Sequence, residues 1–89
     1  MAIKFLFGQT VITPGALNAL SAEVIRLSLA RHGNGDWGEL CAEDRQANDR
    51  ALLHGGRLFS VYVGKDGVKF WIITEADRSA TTILLPSEY

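Results

Sequence analysis

The decapeptide RHGNGDWGEL, residues 31–40, sets a histidine, an aspartate and a tryptophan among three glycines. A carboxylate tuning an imidazole is the arrangement of general acid–base catalysis, so His32 and Asp36 beside Trp37 are the first residues to weigh. A second arrangement joins His32 to His54 as acid and base of a small metal-independent ribonuclease, with Arg57 or Arg78 steadying the phosphate. Each residue also has structural work open to it. Histidines that follow helix C-termini are favoured by the macrodipole. Gly33 and Gly35 can take positive φ, Asp36 can cap the next helix, and Trp37 can plug the junction as an apolar anchor. This reading gives every residue a role without catalysis, and it predicts a buried Trp37.

The other reactive side chains are scattered. Cys41 is the only cysteine, so no disulfide forms within the chain, which fits a reducing compartment. Glu39 and Glu43 flank it, an acidic setting unsuited to a thiolate, so a buried, inert thiol is expected rather than a nucleophile. Two histidines and one cysteine lack ligand spacing, and no glycine-rich phosphate loop is present, so no metal or cofactor is expected. The stretch TEADRSATT offers Glu75, Asp77 and Arg78 as a polar binding edge. Its alternative is a plain turn, in which Asp77 and Ser79 bond their own backbone and Arg78 closes an ion pair.

The totals bound the class. With 89 residues, 47% apolar and 21% charged, the chain reads as one folded α+β domain spanning 1–89. A net charge of −1 without a Lys/Arg cluster argues against nucleic acid as the sole partner. No apolar run approaches the roughly 20 residues that span a bilayer. The opening MAIKFLFGQT is too short for a secretory core and has no cleavage pattern, so a cytoplasmic protein with no membrane association is expected.

The elements that must position these residues follow from periodicity and punctuation. Residues 3–12 read as one or two short strands. Thr13-Pro14 begins a helix, Ser21 gives a second cap signal, and Leu17, Leu20, Val24 and Leu27 form one stripe. A further helix, ELCAEDRQANDRALLHGG, carries acids early and Arg50 and His54 late. Its stripe is Leu40, Ala47, Ala51 and Leu52; Arg45 can pair with Asp49, and Gly55-Gly56 stops it. RLFSVYVGKDGVKFWIIT is a hairpin turning on Asp66-Gly67, and ATTILLP is a third, meander strand ended by Pro86. A two-residue loop would pair Lys65 with Val68 and set Tyr62 opposite Trp71. Phe59, Val61, Val63, Phe70 and Ile72 would then pack on the helices, leaving Ser60, Tyr62, Lys69, Trp71 and Ile73 on the other face. The expected fold is thus α+β: an N-terminal strand, two or three helices, and a C-terminal three-stranded antiparallel meander packed on them.

The blocks RHGNGDWGEL, EDRQAND, GGRLFSVY and FWIITEADRSATTILLPSEY resemble a group of small proteins carried on bacterial plasmids, integrated elements and phages. The resemblance runs from VITPGAL to PSEY, and its last block is the most specific. Such proteins are often labelled plasmid-related or as a type I restriction subunit. The second label does not fit: 89 residues cannot hold a methyltransferase fold, and no glycine-rich cofactor loop follows a strand. The resemblance implies a mobile-element setting. A non-enzymatic binding protein acting on a host or element-encoded protein is expected, with an anti-defence role, against CRISPR or restriction complexes, as one form of it. The expected binding residues are Tyr62, Lys69 and Trp71 on one sheet face, with Glu75, Asp77 and Arg78 in the adjoining loop; that face could equally make a homodimer. The alternative is the small nuclease using His32 and His54.

Overall fold

The computed structural model describes residues 3–89; Met1 and Ala2, part of the opening segment, lie outside the described residues. The order is β1 (Gln9–Ile12), α1 (Pro14–Ala19), α2 (Ala22–Gly33), α3 (Ala42–His54), β2 (Leu58–Val63), β3 (Lys69–Thr74) and β4 (Ala80–Leu84). A 3₁₀ turn, Pro86–Glu88, follows. The expected α+β class is what forms, but the sheet is mixed. β2, β3 and β4 make the antiparallel meander, and β1 adds to β4 in parallel, giving the order β1-β4-β3-β2. No helix among the described residues is long and apolar enough to cross a membrane.

Capping divides the helical region as its residues require. The Thr13 hydroxyl accepts the Ala16 amide with Pro14 at the first helical position, and the Ser21 hydroxyl accepts the Val24 amide. Two separately capped helices therefore stand in place of one continuous helix. The first is also held from the far end of the chain. The Glu88 carboxylate accepts the Thr13 hydroxyl (2.5 Å), the Gly15 amide (3.0 Å) and the Leu85 amide (3.0 Å). The Thr13 bond, above all, holds this carboxyl below the usual carboxylate range.

The core lies between α1, α2 and one sheet face, where Ala16, Leu20 and Ile25 meet Tyr62, Phe70, Ile72 and Ile83. Full burial of each large member is worth roughly 1.5–3 kcal/mol. The inward stripe across α1 and α2 differs from the expected one. Leu17 (61% exposed) and Leu27 (46%) point outward, while Ile25, Ser28 and His32 are buried. These three fall at i, i+3 and i+7, a helical face that hydrophobicity alone misses because two of its members are polar.

Four further expectations are corrected. Regular strand is confined to Gln9–Ile12, and residues 3–8 are irregular. The third helix begins at Ala42 with Cys41 at its cap, and Cys41 is exposed, not buried. Arg45 does not pair with Asp49; its guanidinium donates to the Leu40 and Gly38 carbonyls, while Asp49 accepts the Trp37 indole N–H (3.0 Å). The hairpin, finally, is slipped by one residue from the expected register. Its loop is three residues long, with Gly67 N–H bonded to Gly64 C=O (3.0 Å), Gly64 N–H to Val68 C=O (2.9 Å), and Gly67 at φ +79°. A type I turn closed by a glycine bulge has this shape. Tyr62 therefore pairs with Phe70, and Val61 with Trp71. β3 keeps its expected faces while β2 turns over.

β2 is an outer strand, yet its free edge is closed. Val61 N–H donates to Trp37 C=O (3.2 Å), and its own C=O accepts the Glu39 amide (2.7 Å), a short parallel bridge centred on Gly38. Gly38 has φ +76°, and any Cβ there would run into the Val61 carbonyl, so only glycine fits. One step along, the buried Asn48 side chain donates to Phe59 C=O (2.6 Å) and accepts Phe59 N–H (3.1 Å), in place of a neighbouring strand. Asn48→Ala should leave both backbone groups unpaired and cost on the order of 2–3 kcal/mol. Asn48→Asp, which keeps only the acceptor, should also destabilise; denaturant midpoints measure both. Unchanged midpoints would show that the edge closes without this side chain.

Candidate functional site

His32, the residue most suggestive of chemistry, is fully buried, as are its partners Ser60, Thr74 and Thr81. Nδ1 lies 2.6 Å from Ser60 Oγ and Nε2 2.9 Å from Thr74 Oγ1. Thr74 Oγ1 lies 2.8 Å from Thr81 Oγ1, and Thr81 donates to the Phe7 carbonyl (2.8 Å). One proton per hydroxyl fixes every direction in this chain. Because Thr81 gives its proton to Phe7, Thr74 must donate to Thr81. His32 Nε2–H must then donate to Thr74. In the neutral ring Nδ1 is bare and accepts from Ser60, so the imidazole is a single tautomer. Burial, with a smaller contribution from the Arg78 charge, pushes its pKa down to about 3. Phe5, Phe7 and Trp37 surround the ring at centroid distances of 5.2, 6.0 and 5.6 Å. A serine on an imidazole is also the geometry of an activated nucleophile, but here neither atom can meet a substrate.

The other side chains of the glycine segment also meet partners within the chain. Trp37 is buried, 2% exposed, as expected. Asp36 does not cap α3. It faces back to Arg31, whose Nε and Nη2 donate to its two oxygens (2.8 and 3.2 Å), and this pair holds its carboxyl below the usual range. Gly35 takes positive φ but Gly33 does not, being the last residue of α2. His54 is exposed at the end of α3, and no hydrogen bond or ring contact joins it to His32 among the described residues.

The expected binding residues separate. Tyr62 lies in the core, 1% exposed, because the register slip turned β2 over. Its hydroxyl donates to Asp36 C=O (2.6 Å), Arg31 stacks 4.7 Å from its ring centroid, and burial pushes its pKa up to about 12. Arg78 closes no ion pair among the described residues. It stands at φ +62° and donates to the carbonyls of Gly56, Glu75, Ala76 and Ala51, which ties the β3–β4 turn to the end of α3. Asp77 accepts the Ser79 amide (2.9 Å), the turn that its spacing allowed.

Trp71, Lys69 and Glu75 remain on or beside the outer sheet face. Trp71 is half-buried and makes edge contacts with Phe59 (5.1 Å) and Tyr89 (5.5 Å). With Arg57 and Ile73 these rings line an apolar cleft of about 280 Å³. Arg57 donates to the Tyr89 hydroxyl (3.1 Å) and lies 3.5 Å from the Glu75 carboxylate. Lys69 pairs with Val63 further along, and both are exposed. Phe59 and Tyr89 were not expected here. The glycine in third place of Lys65-Asp66-Gly67, which suits a bulged three-residue loop, is the signal that sets Phe59 beside Trp71; nothing in the sequence reveals the position of Tyr89.

No group of three or more histidine, cysteine or acidic side chains suited to a metal ion occurs among the described residues. No protein-family model, curated protein or solved structure matches the chain.

The His32 network has a measurable consequence. The folded pKa lies below the free value of 6.5, so the unfolded chain takes up this proton first. The stabilisation is complete above about pH 6.5 and is lost as pH falls toward about 3, with a limiting slope of about 1.4 kcal/mol per pH unit. His32→Gln should lack this part of the slope. Ring ¹⁵N shifts should show Nε2–H and no titration at pH 5, whereas an imidazolium forming near pH 6 would refute the network.

Proposed function

We propose that this protein is a non-enzymatic binding module that engages a protein partner through its outer sheet face, centred on Trp71. The single observation that carries this reading is the open cleft of Phe59, Trp71, Ile73 and Tyr89, with Arg57 at its rim. Aromatic side chains with a polar edge are the common anchors of protein interfaces. The cleft suits an apolar side chain inserted from a partner surface, with Arg57 and the Tyr89 hydroxyl offering polar contacts beside it. A nucleic acid suits it less well. Lys69 and Arg57 on this face are offset by Glu75 and Glu88, and Arg57 is already beside Glu75.

The resemblance to plasmid, integrated-element and phage proteins supplies the partner class: a host or element-encoded protein, with inhibition of a CRISPR or restriction complex as the sharpest form. The nuclease reading gains nothing from the geometry, since His32 is neutral, fully buried and hydrogen-bonded through both ring nitrogens.

Affinity capture from a bacterial host lysate treated with nuclease, followed by calorimetry on the recovered partner, tests the proposal. Trp71→Ala should weaken binding by about 30-fold or more, in line with roughly 2 kcal/mol for a truncated aromatic anchor, and should keep the fold. Equal affinity of the variant would overturn the proposal. So would capture that disappears with nuclease, or RNA cleavage that depends on His32 or His54.

A further inference from the structure

The two edges of the sheet are finished differently. β2 is closed by Asn48 and by the Trp37–Glu39 segment. Among the described residues, β1 has β4 on one side and no strand on the other. The Gln9 and Thr13 amides donate to the Ser79 and Ile83 carbonyls, each at 3.0 Å, so odd-numbered residues turn their backbone toward β4. By alternation Thr10 and Ile12 turn N–H and C=O outward, and neither backbone bonds to another part of the chain among the described residues. Gln9–Ile12 contains no charge, proline or bulge, the devices that usually blunt an edge strand. On the helix side of the same edge lies an apolar cleft of about 490 Å³, lined chiefly by Ile12, Leu17, Leu20, Ile25 and Leu29. Leu17 is 61% exposed there, and Val11, on the other face of the same strand, is 40% exposed.

We propose that a second copy of this chain covers this edge. Two β1 strands pair antiparallel about a two-fold axis at Val11, and Thr10 of each exchanges both backbone bonds with Ile12 of the other. Two features favour a copy over a foreign strand. The outward residues stand one on each side of Val11, as a reciprocal pairing across a dyad requires. Head-to-tail stacking would need β1 to meet β2, and β2 is closed. The only edge a β1 can join is another β1, which ends assembly at two copies. The uncharged strand adds no like-charge repulsion. In this arrangement both helical layers lie on one side of the joined sheet and their apolar clefts face each other across the axis. Both Trp71 faces stay free on the opposite side.

Sedimentation over a concentration series should show a monomer–dimer equilibrium with no larger species. Thr10→Pro removes only an outward N–H, and Val11→Lys sets like charges across the axis. Each occurs twice per dimer, so each should raise the dimer dissociation constant about tenfold or more while keeping the far-UV spectrum. Amide exchange in the unaltered protein gives an independent readout: Thr10 and Ile12 should be protected when concentrated and fast when dilute. A monomer at every concentration with both amides fast would overturn the proposal. A dimer indifferent to both substitutions would do so too, as would one that Trp71→Ala dissociates instead.

Discussion

The hydrogen-bonded chain through His32 is the constraint on which the rest of the structure depends. One imidazole joins α2 to β2 through Ser60 and to β3 through Thr74; Thr81 extends the contact to β4 and to the carbonyl of Phe7, just before β1. Every donor in it has one acceptor and every proton one place, so sliding any of these strands by a residue would strand a buried polar group. An apolar core tolerates small rearrangements at modest cost, whereas a satisfied polar network in a low-dielectric interior does not. The same chain requires Ser60 inward, and alternation along β2 brings Tyr62 to the same face.

Much of the scaffold was legible. Thr13-Pro14 and Ser21 marked two helix starts, Gly55 a stop, and Asp66-Gly67 a hairpin, because capping and turn chemistry are local. What was not legible depended on contacts distant in sequence. Asp-Gly serves both a two-residue turn and the end of a bulged three-residue one, and tertiary packing of Tyr62 and the His32 network chose the second. The inward stripe of α2 was hidden because Ser28 and His32 are buried for their hydrogen bonds and close packing, not for hydrophobicity. Asn48 looked like a helix-surface residue, and its use as a substitute strand has no local mark. Of the expected binding residues, Trp71, Lys69 and Glu75 kept their outer placement, while Tyr62 and Arg78 were taken up by the fold.

The polar side chains divide by what they satisfy. Arg31, Arg45 and Arg78 spend their donors on carbonyls or on a single carboxylate, holding the junctions between helices and sheet. Arg57 instead sits at the rim of an open cleft. A cation with every donor used inside its own chain adds rigidity, and one at a wet aromatic rim can trade a water for a partner group. The outer face therefore has Arg57 and the Tyr89 hydroxyl as polar groups at the rim of its cleft.

Trp37 and Trp71 occupy opposite environments. Trp37 is sealed beside the His32 and Phe5 rings, with its indole N–H on Asp49. Trp71 is half-buried on the outer face between Phe59 and Tyr89. The molecule thus carries two native optical probes with little overlap in what they sense. Collisional quenchers in water should reach the Trp71 indole and spare Trp37, so quencher-accessible emission follows the outer face alone. The shielded fraction follows the integrity of the interior. Changes at the outer face and unfolding can accordingly be separated in one unlabelled sample.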